Sequence, residues 1–76
     1  MKAFVLCRLM AGKEQKALGQ IRVVKGVTDV YLTFGSWDAI LAAEADTVDK
    51  LSTLIVREVR GIDGVQATET LVTTNL

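Results

Sequence analysis

The sequence predicts an α+β fold of order βαββαβ, in which a four-stranded antiparallel sheet carries both helices on one face. Three observations predict it. Two segments, Lys13 to Lys25 and Val48 to Ile62, place apolar residues at spacings of three and four. Four others are extended runs in which apolar residues alternate or run continuously. Finally, Gly-Val occurs at Gly26-Val27 and again at Gly64-Val65, each time between a helical and an extended segment. The two pairs lie 38 residues apart in a chain of 76, so the chain reads as two similar halves.

The first strand, Lys2 to Met10, is apolar on both alternating sets: Phe4, Leu6 and Met10 on one, Val5, Cys7 and Leu9 on the other. This marks an interior strand with both faces covered. After Gly12, the segment Lys13 to Lys25 reads as a helix with Ala17, Leu18, Ile21 and Val24 on its apolar side. Gly19 costs that helix about 1 kcal/mol relative to Ala, and the β-branched Val23-Val24 pair weakens its end. Gly26 is suited to the left-handed conformation that terminates it.

Val27 to Phe34 alternates as a strand, with Val30, Leu32 and Phe34 on one face and Asp29, Tyr31 and Thr33 on the other. Gly35-Ser36 is the turn, and Asp38 to Ala45 returns. Its alanines are poor strand formers, so packing must hold it in place. Asp46-Thr47 supplies an N-cap, Asp49 an acidic first turn, and Val48, Leu51, Ile55, Val59 and Ile62 the apolar stripe of the second helix. Val65 to Thr73, rich in threonine and valine, closes the chain as a fourth strand. The whole, residues 1–76, is a single domain of ferredoxin-like architecture.

Composition narrows the function. Half of the residues are hydrophobic and 24% are charged, which describes a small folded domain. There is no histidine, so the commonest general base and metal ligand are missing. One cysteine, Cys7, allows neither an intrachain disulfide nor a thiolate zinc site, and its apolar neighbours mark it as packing. Glu44, Asp46 and Asp49 lie close in sequence, but a strand end and a helix start direct them differently; no metal or other cofactor is expected. Nine Lys+Arg balance nine Asp+Glu, which removes the basic excess that nucleic acid or an anionic membrane requires.

Arg8 interrupts the N-terminal apolar run too early for a signal peptide, and no stretch approaches the ~18 apolar residues of a membrane span, so a cytoplasmic protein is expected. Two helices cover only one face of the sheet. The opposite face, read as apolar residues mixed with threonines, is expected to pack against a second copy, burying ~800 Å² per partner.

Gly35-Ser36-Trp37-Asp38 is the most informative stretch. Gly35 permits close backbone approach, Ser36 offers a hydroxyl, Trp37 an aromatic wall, and Asp38 an anion for an ammonium group. Together they suit an amino acid or another small amine. An ordinary hairpin, with the aspartate satisfying turn amides and the tryptophan packed at an interface, is the alternative. Thr68 and Thr70 share one face of the last strand, where their hydroxyls can bind a carboxylate or a partner subunit, or serve only as good strand formers.

The chain resembles the RAM domain, the effector-binding domain of the Lrp/AsnC transcription regulators. The similar stretches are Val24-Lys25-Gly26-Val27, Gly35-Ser36-Trp37-Asp38 with Ile40-Leu41, and Gly64-Val65 with Thr68 and Thr70. In order and spacing they cover nearly the whole chain. The resemblance implies homodimers formed through the sheets, rings of dimers (octamer or decamer), and amino-acid effectors bound where dimers meet. It assigns the ligand to Gly35, Ser36, Trp37, Asp38, Thr68 and Thr70.

Family members often carry an acidic residue and a tyrosine where this chain has Ser36 and Trp37. The chain begins at the first strand, as in stand-alone RAM proteins that lack the helix-turn-helix, so it is not expected to bind DNA directly. The expected function is a non-enzymatic amino-acid-binding and oligomerisation module that modulates full-length Lrp/AsnC regulators. A small dimeric α+β barrel enzyme and an ACT-like regulatory domain share the element order. The enzyme would need titratable groups in a cavity, and ACT-like sheets would pair side by side.

Overall fold

The computed structural model describes residues 1–74, so the last two positions of the expected 1–76 domain lie outside the described residues. The order is β1 (Lys2–Leu9), α1 (Glu14–Arg22), β2 (Val27–Leu32), β3 (Ala39–Glu44), α2 (Val48–Thr53) running on into a π-helical segment (Leu54–Val59), and β4 (Val65–Val72). The strands form one antiparallel sheet in the order β2-β3-β1-β4. The predicted βαββαβ architecture is the observed one.

Alternation along β1 sets the two faces. Ala3, Val5 and Cys7 are fully buried beneath the helices, whereas Phe4 and Leu6 point to the other side and are half-buried, flanked by exposed Lys2 and Arg8. The strand is interior in the sheet, but the described residues cover one of its faces only. Leu41, Ala39 and Ala43 of β3 share the covered face with Ala17, Leu18 and Ile21 of α1. The alanines, weak strand formers, are held by this burial between β1 and β2.

Register corrects one expectation about the open face. Thr68 pairs with Cys7 and Thr70 with Val5, so both threonines lie on the helix side. The open face instead mixes Phe4, Leu6, Tyr31, Ile40 and Leu71 with the charged Lys2, Arg8, Glu44 and Glu69.

The helices differ from expectation at their ends. α1 stops at Arg22, where the β-branched Val23-Val24 pair gives way to a tighter turn with Val24 N–H donating to Ile21 O at 3.1 Å. Gly26, at φ 103°, therefore shapes the entry to β2 rather than the helix end. There its carbonyl accepts from Glu44 N–H at 2.8 Å, and a Cβ on it would collide with the Leu54 side chain. Gly64 is its counterpart in the second half, at φ 101° with its carbonyl accepting from Met10 N–H at 2.8 Å. The repeated Gly-Val is thus a repeated structural device. In the second helix Thr47 Oγ1 caps Lys50 N–H at 3.1 Å, as its position predicts. The later turns widen: Arg60 N–H donates to Ile55 O, five residues back, while Leu54, Ile55 and Val59 stay in the core.

Candidate functional site

The β2–β3 turn is closed at its base by Thr33, whose N–H donates to Asp38 O at 3.0 Å and whose hydroxyl donates to Trp37 O at 2.6 Å. Phe34, Gly35, Ser36 and Trp37 form the tip. Gly35 sits at φ 125° with open space around it, so glycine serves the backbone conformation there rather than a close contact. β3 begins at Ala39, which leaves the Leu9 amide without a strand acceptor on that side. Asp38 takes this role: Oδ2 accepts from Leu9 N–H at 2.7 Å, while Asp38 N–H donates to Cys7 O at 2.8 Å. The aspartate satisfies an amide of β1 rather than one of its own turn.

The same carboxylate lines a shallow cavity of about 360 Å³ between α1 and the turn, with Leu9, Leu18, Leu32 and Phe34 as apolar walls. Phe34 is fully exposed at its mouth. Ser36 and Trp37 turn instead toward Arg8. The guanidinium lies 5.1 Å from the Trp37 ring centroid and donates to Ser36 O from Nε at 3.2 Å and from an Nη at 2.9 Å.

Thr68 and Thr70 line a second groove, of about 390 Å³, between the second helix and the edge strand β4. Leu51, Ile55 and Val72 give it an apolar floor, and Ser52 and Arg60 add polar groups. The six residues singled out from the sequence therefore fall into three sets within one chain: Asp38 in the first cavity, Ser36 and Trp37 against Arg8 beside Gly35, and the threonines in the second groove. β1 runs between the turn-bearing strand β3 and β4, so one chain does not bring the turn and the threonines together.

Cys7 is buried, and burial pushes its thiol up to about 11, which leaves it protonated and unreactive at neutral pH. Asp63 is held below the usual carboxylate range by the hydrogen bond and charge of Lys13, 3.0 Å away, a pair that ties the start of α1 to the turn before β4. Among the described residues no helix is long and apolar enough to cross a membrane, and no three His, Cys, Asp or Glu side chains gather as a metal set.

Residues 2–75 match the Lrp/AsnC ligand binding domain. The chain belongs to this family. An uncharacterised HTH-type transcriptional regulator of Pyrococcus furiosus is 34% identical over 73 residues, which span 92% of this chain and 49% of that protein. The chain spans about half the length of the curated relatives it matches. Among solved structures, FFRP-DM1 superposes with a TM-score of 0.90 at 29% identity, over 96% of this chain and 97% of that one. E. coli AsnC superposes at 0.88 with 28% identity, over 97% of this chain and 51% of that one.

In this Lrp/AsnC domain three residues escape sequence reasoning: Arg8, Phe34 and Arg60. Each reads as an ordinary member of a strand or helix. Only strand register and the crossing of helix over sheet place them at the turn or in a groove.

Proposed function

We propose that this Lrp/AsnC ligand-binding domain is a non-enzymatic, cytoplasmic amino-acid-binding and oligomerisation module that modulates Lrp/AsnC-type transcription regulators without contacting DNA itself. Two copies pair through their open sheet faces, and dimers join into rings of eight or ten subunits. The ligand lodges where dimers meet, its ammonium on Asp38 beside Gly35, Ser36 and Trp37, its other polar groups on Thr68 and Thr70. The observation that carries this reading is the separation of Asp38 and the threonine pair into two grooves of one chain, each apolar with few polar groups. A ligand that uses both sets needs more than one copy. The open face supports the pairing, since Phe4, Leu6, Tyr31, Ile40 and Leu71 stand on it among charged residues and no element of the described residues covers it.

A thermal-shift screen of the twenty amino acids tests it. A ligand at ~100 times its dissociation constant adds about 2.7 kcal/mol of stability, which raises the melting temperature of so small a domain by ~10 °C or more. A flat response to all twenty would overturn the sensing role. Sedimentation showing a folded monomer at micromolar concentration would overturn the assembly.

A further inference from the structure

Arg8 is a cation on the open sheet face without a carboxylate partner, since the ion pairs among the described residues are Lys13–Asp63 and Lys50–Asp46. Its guanidinium is spent on the tip of the β2–β3 turn. Two donors converge on Ser36 O, and the cation lies over the Trp37 ring. Thr33 holds the turn's base and reaches Trp37 O, while among the described residues the hydrogen bonds to Ser36 are those from Arg8. Regular alternation along β1 puts Arg8 on the open face with Lys2, Phe4 and Leu6, and the pairing of Cys7 with Ala39 places it beside the turn that precedes β3. At the end of β1, Leu9 holds Asp38 through its amide and Arg8 holds Ser36 and Trp37 through its side chain.

We propose that Arg8 is a positioning residue for the Gly35–Asp38 turn: by grasping Ser36 O and Trp37 it holds the tip in the conformation that presents Asp38 to a ligand. It does so without neutralising Asp38, because it binds a carbonyl and a ring rather than the carboxylate. The aspartate's charge is thereby left for an ammonium group. The part of this inference that concerns ligand affinity rests on the function proposed above; the part that concerns the turn does not.

Trp37 is the only tryptophan of the chain, so its fluorescence reports the turn directly. Arg8→Ala, Arg8→Lys and, as a control, Lys2→Ala are compared with the wild type by far-UV circular dichroism, acrylamide quenching of Trp37 and calorimetric titration with the amino acid that gives the largest thermal shift. Lys2 is the matching control: it lies on the same face of β1, over the Phe4 ring at 5.4 Å, and is remote from the turn. Arg8→Ala is expected to keep the secondary structure, make Trp37 more quenchable and weaken binding about ten-fold, the equivalent of one charge-assisted hydrogen bond.

Arg8→Lys, which keeps a cation near the ring but lacks the fork, is expected to fall between the two, and Lys2→Ala, on the same open face but remote from the turn, to leave Trp37 quenching at the wild-type level. Unchanged Trp37 quenching in Arg8→Ala, or the same changes in Lys2→Ala, would overturn the proposal. If the wild type binds none of the twenty amino acids, the proposed function fails, and the quenching comparison still decides whether Arg8 holds the turn.

Discussion

Asp38 Oδ2 and the amide of Leu9, 2.7 Å apart, continue the β1–β3 ladder one step beyond the first residue of β3. One carboxylate thus completes a backbone hydrogen-bond ladder and lines the cavity in front of α1. The two duties can be separated by substitution.

Asp38→Asn keeps a carbonyl oxygen for Leu9 and loses the charge. It is expected to stay within about 1 kcal/mol of wild-type stability while amino-acid binding falls roughly ten- to a hundred-fold, the value of a charge-assisted contact. Asp38→Ala also strands the Leu9 amide and is expected to lose about 1–3 kcal/mol in urea unfolding as well. Equal affinity in calorimetry for Asp38→Asn and wild type would remove Asp38 from the ligand site.

Thr68 and Thr70 make no side-chain hydrogen bond among the described residues, although they line the groove under the second helix. Replacing either by valine keeps the shape and strand propensity. The expected outcome is unchanged or slightly higher stability with binding weakened about three- to ten-fold, as for one neutral hydrogen bond. Binding unaffected in the double variant would return both residues to a purely structural role.

Gly26 and Gly12 both adopt positive φ, at 103° and 86°, but a Cβ on Gly12 meets open space whereas one on Gly26 meets Leu54. Gly12→Ala should cost about 1 kcal/mol from backbone strain alone. Gly26→Ala, which adds a steric clash in the core, should cost about 3 kcal/mol. Urea midpoints of the two variants test the difference, and similar values would mean that the contact with Leu54 relaxes freely.

Cys7 titrates at about 11 in the folded protein, against 9.0 for an unhindered thiol. Between these values the unfolded chain has lost a proton that the folded one keeps, so stability falls as pH rises, by up to about 1.4 kcal/mol per unit. Below pH 9 the contribution is level. Urea unfolding from pH 8 to 11 should show a steeper decline in wild type than in Cys7→Ala. Parallel curves would show that the thiol ionises without penalty, as would rapid labelling of Cys7 by a thiol reagent under native conditions.

Much of this molecule is legible in its order of residues. Periodicities of two and near 3.6 place all six predicted elements, and Thr47 followed by the Val48–Leu51–Ile55–Val59 stripe locates the second helix, because caps and amphipathic faces are local properties. The positive φ of Gly26 is readable for the same reason, being a demand on one residue, although its place at the entry to β2 is not. The early end of α1 follows from a balance, Val23-Val24 against the helix, that propensity alone does not weigh accurately.

Sequence patterns specify which residues alternate, but not which face a strand's neighbour turns toward the helices. That depends on register, a relation between segments far apart in the chain. Thr70 opposite Val5 places the threonines under the second helix, and Cys7 opposite Ala39 brings the next residue of β1, Arg8, beside the tip of the turn. Local chemistry made the elements and their order predictable, whereas the division of the candidate site into two grooves arose from pairing across the sheet, where the free energy lies in contacts between distant segments.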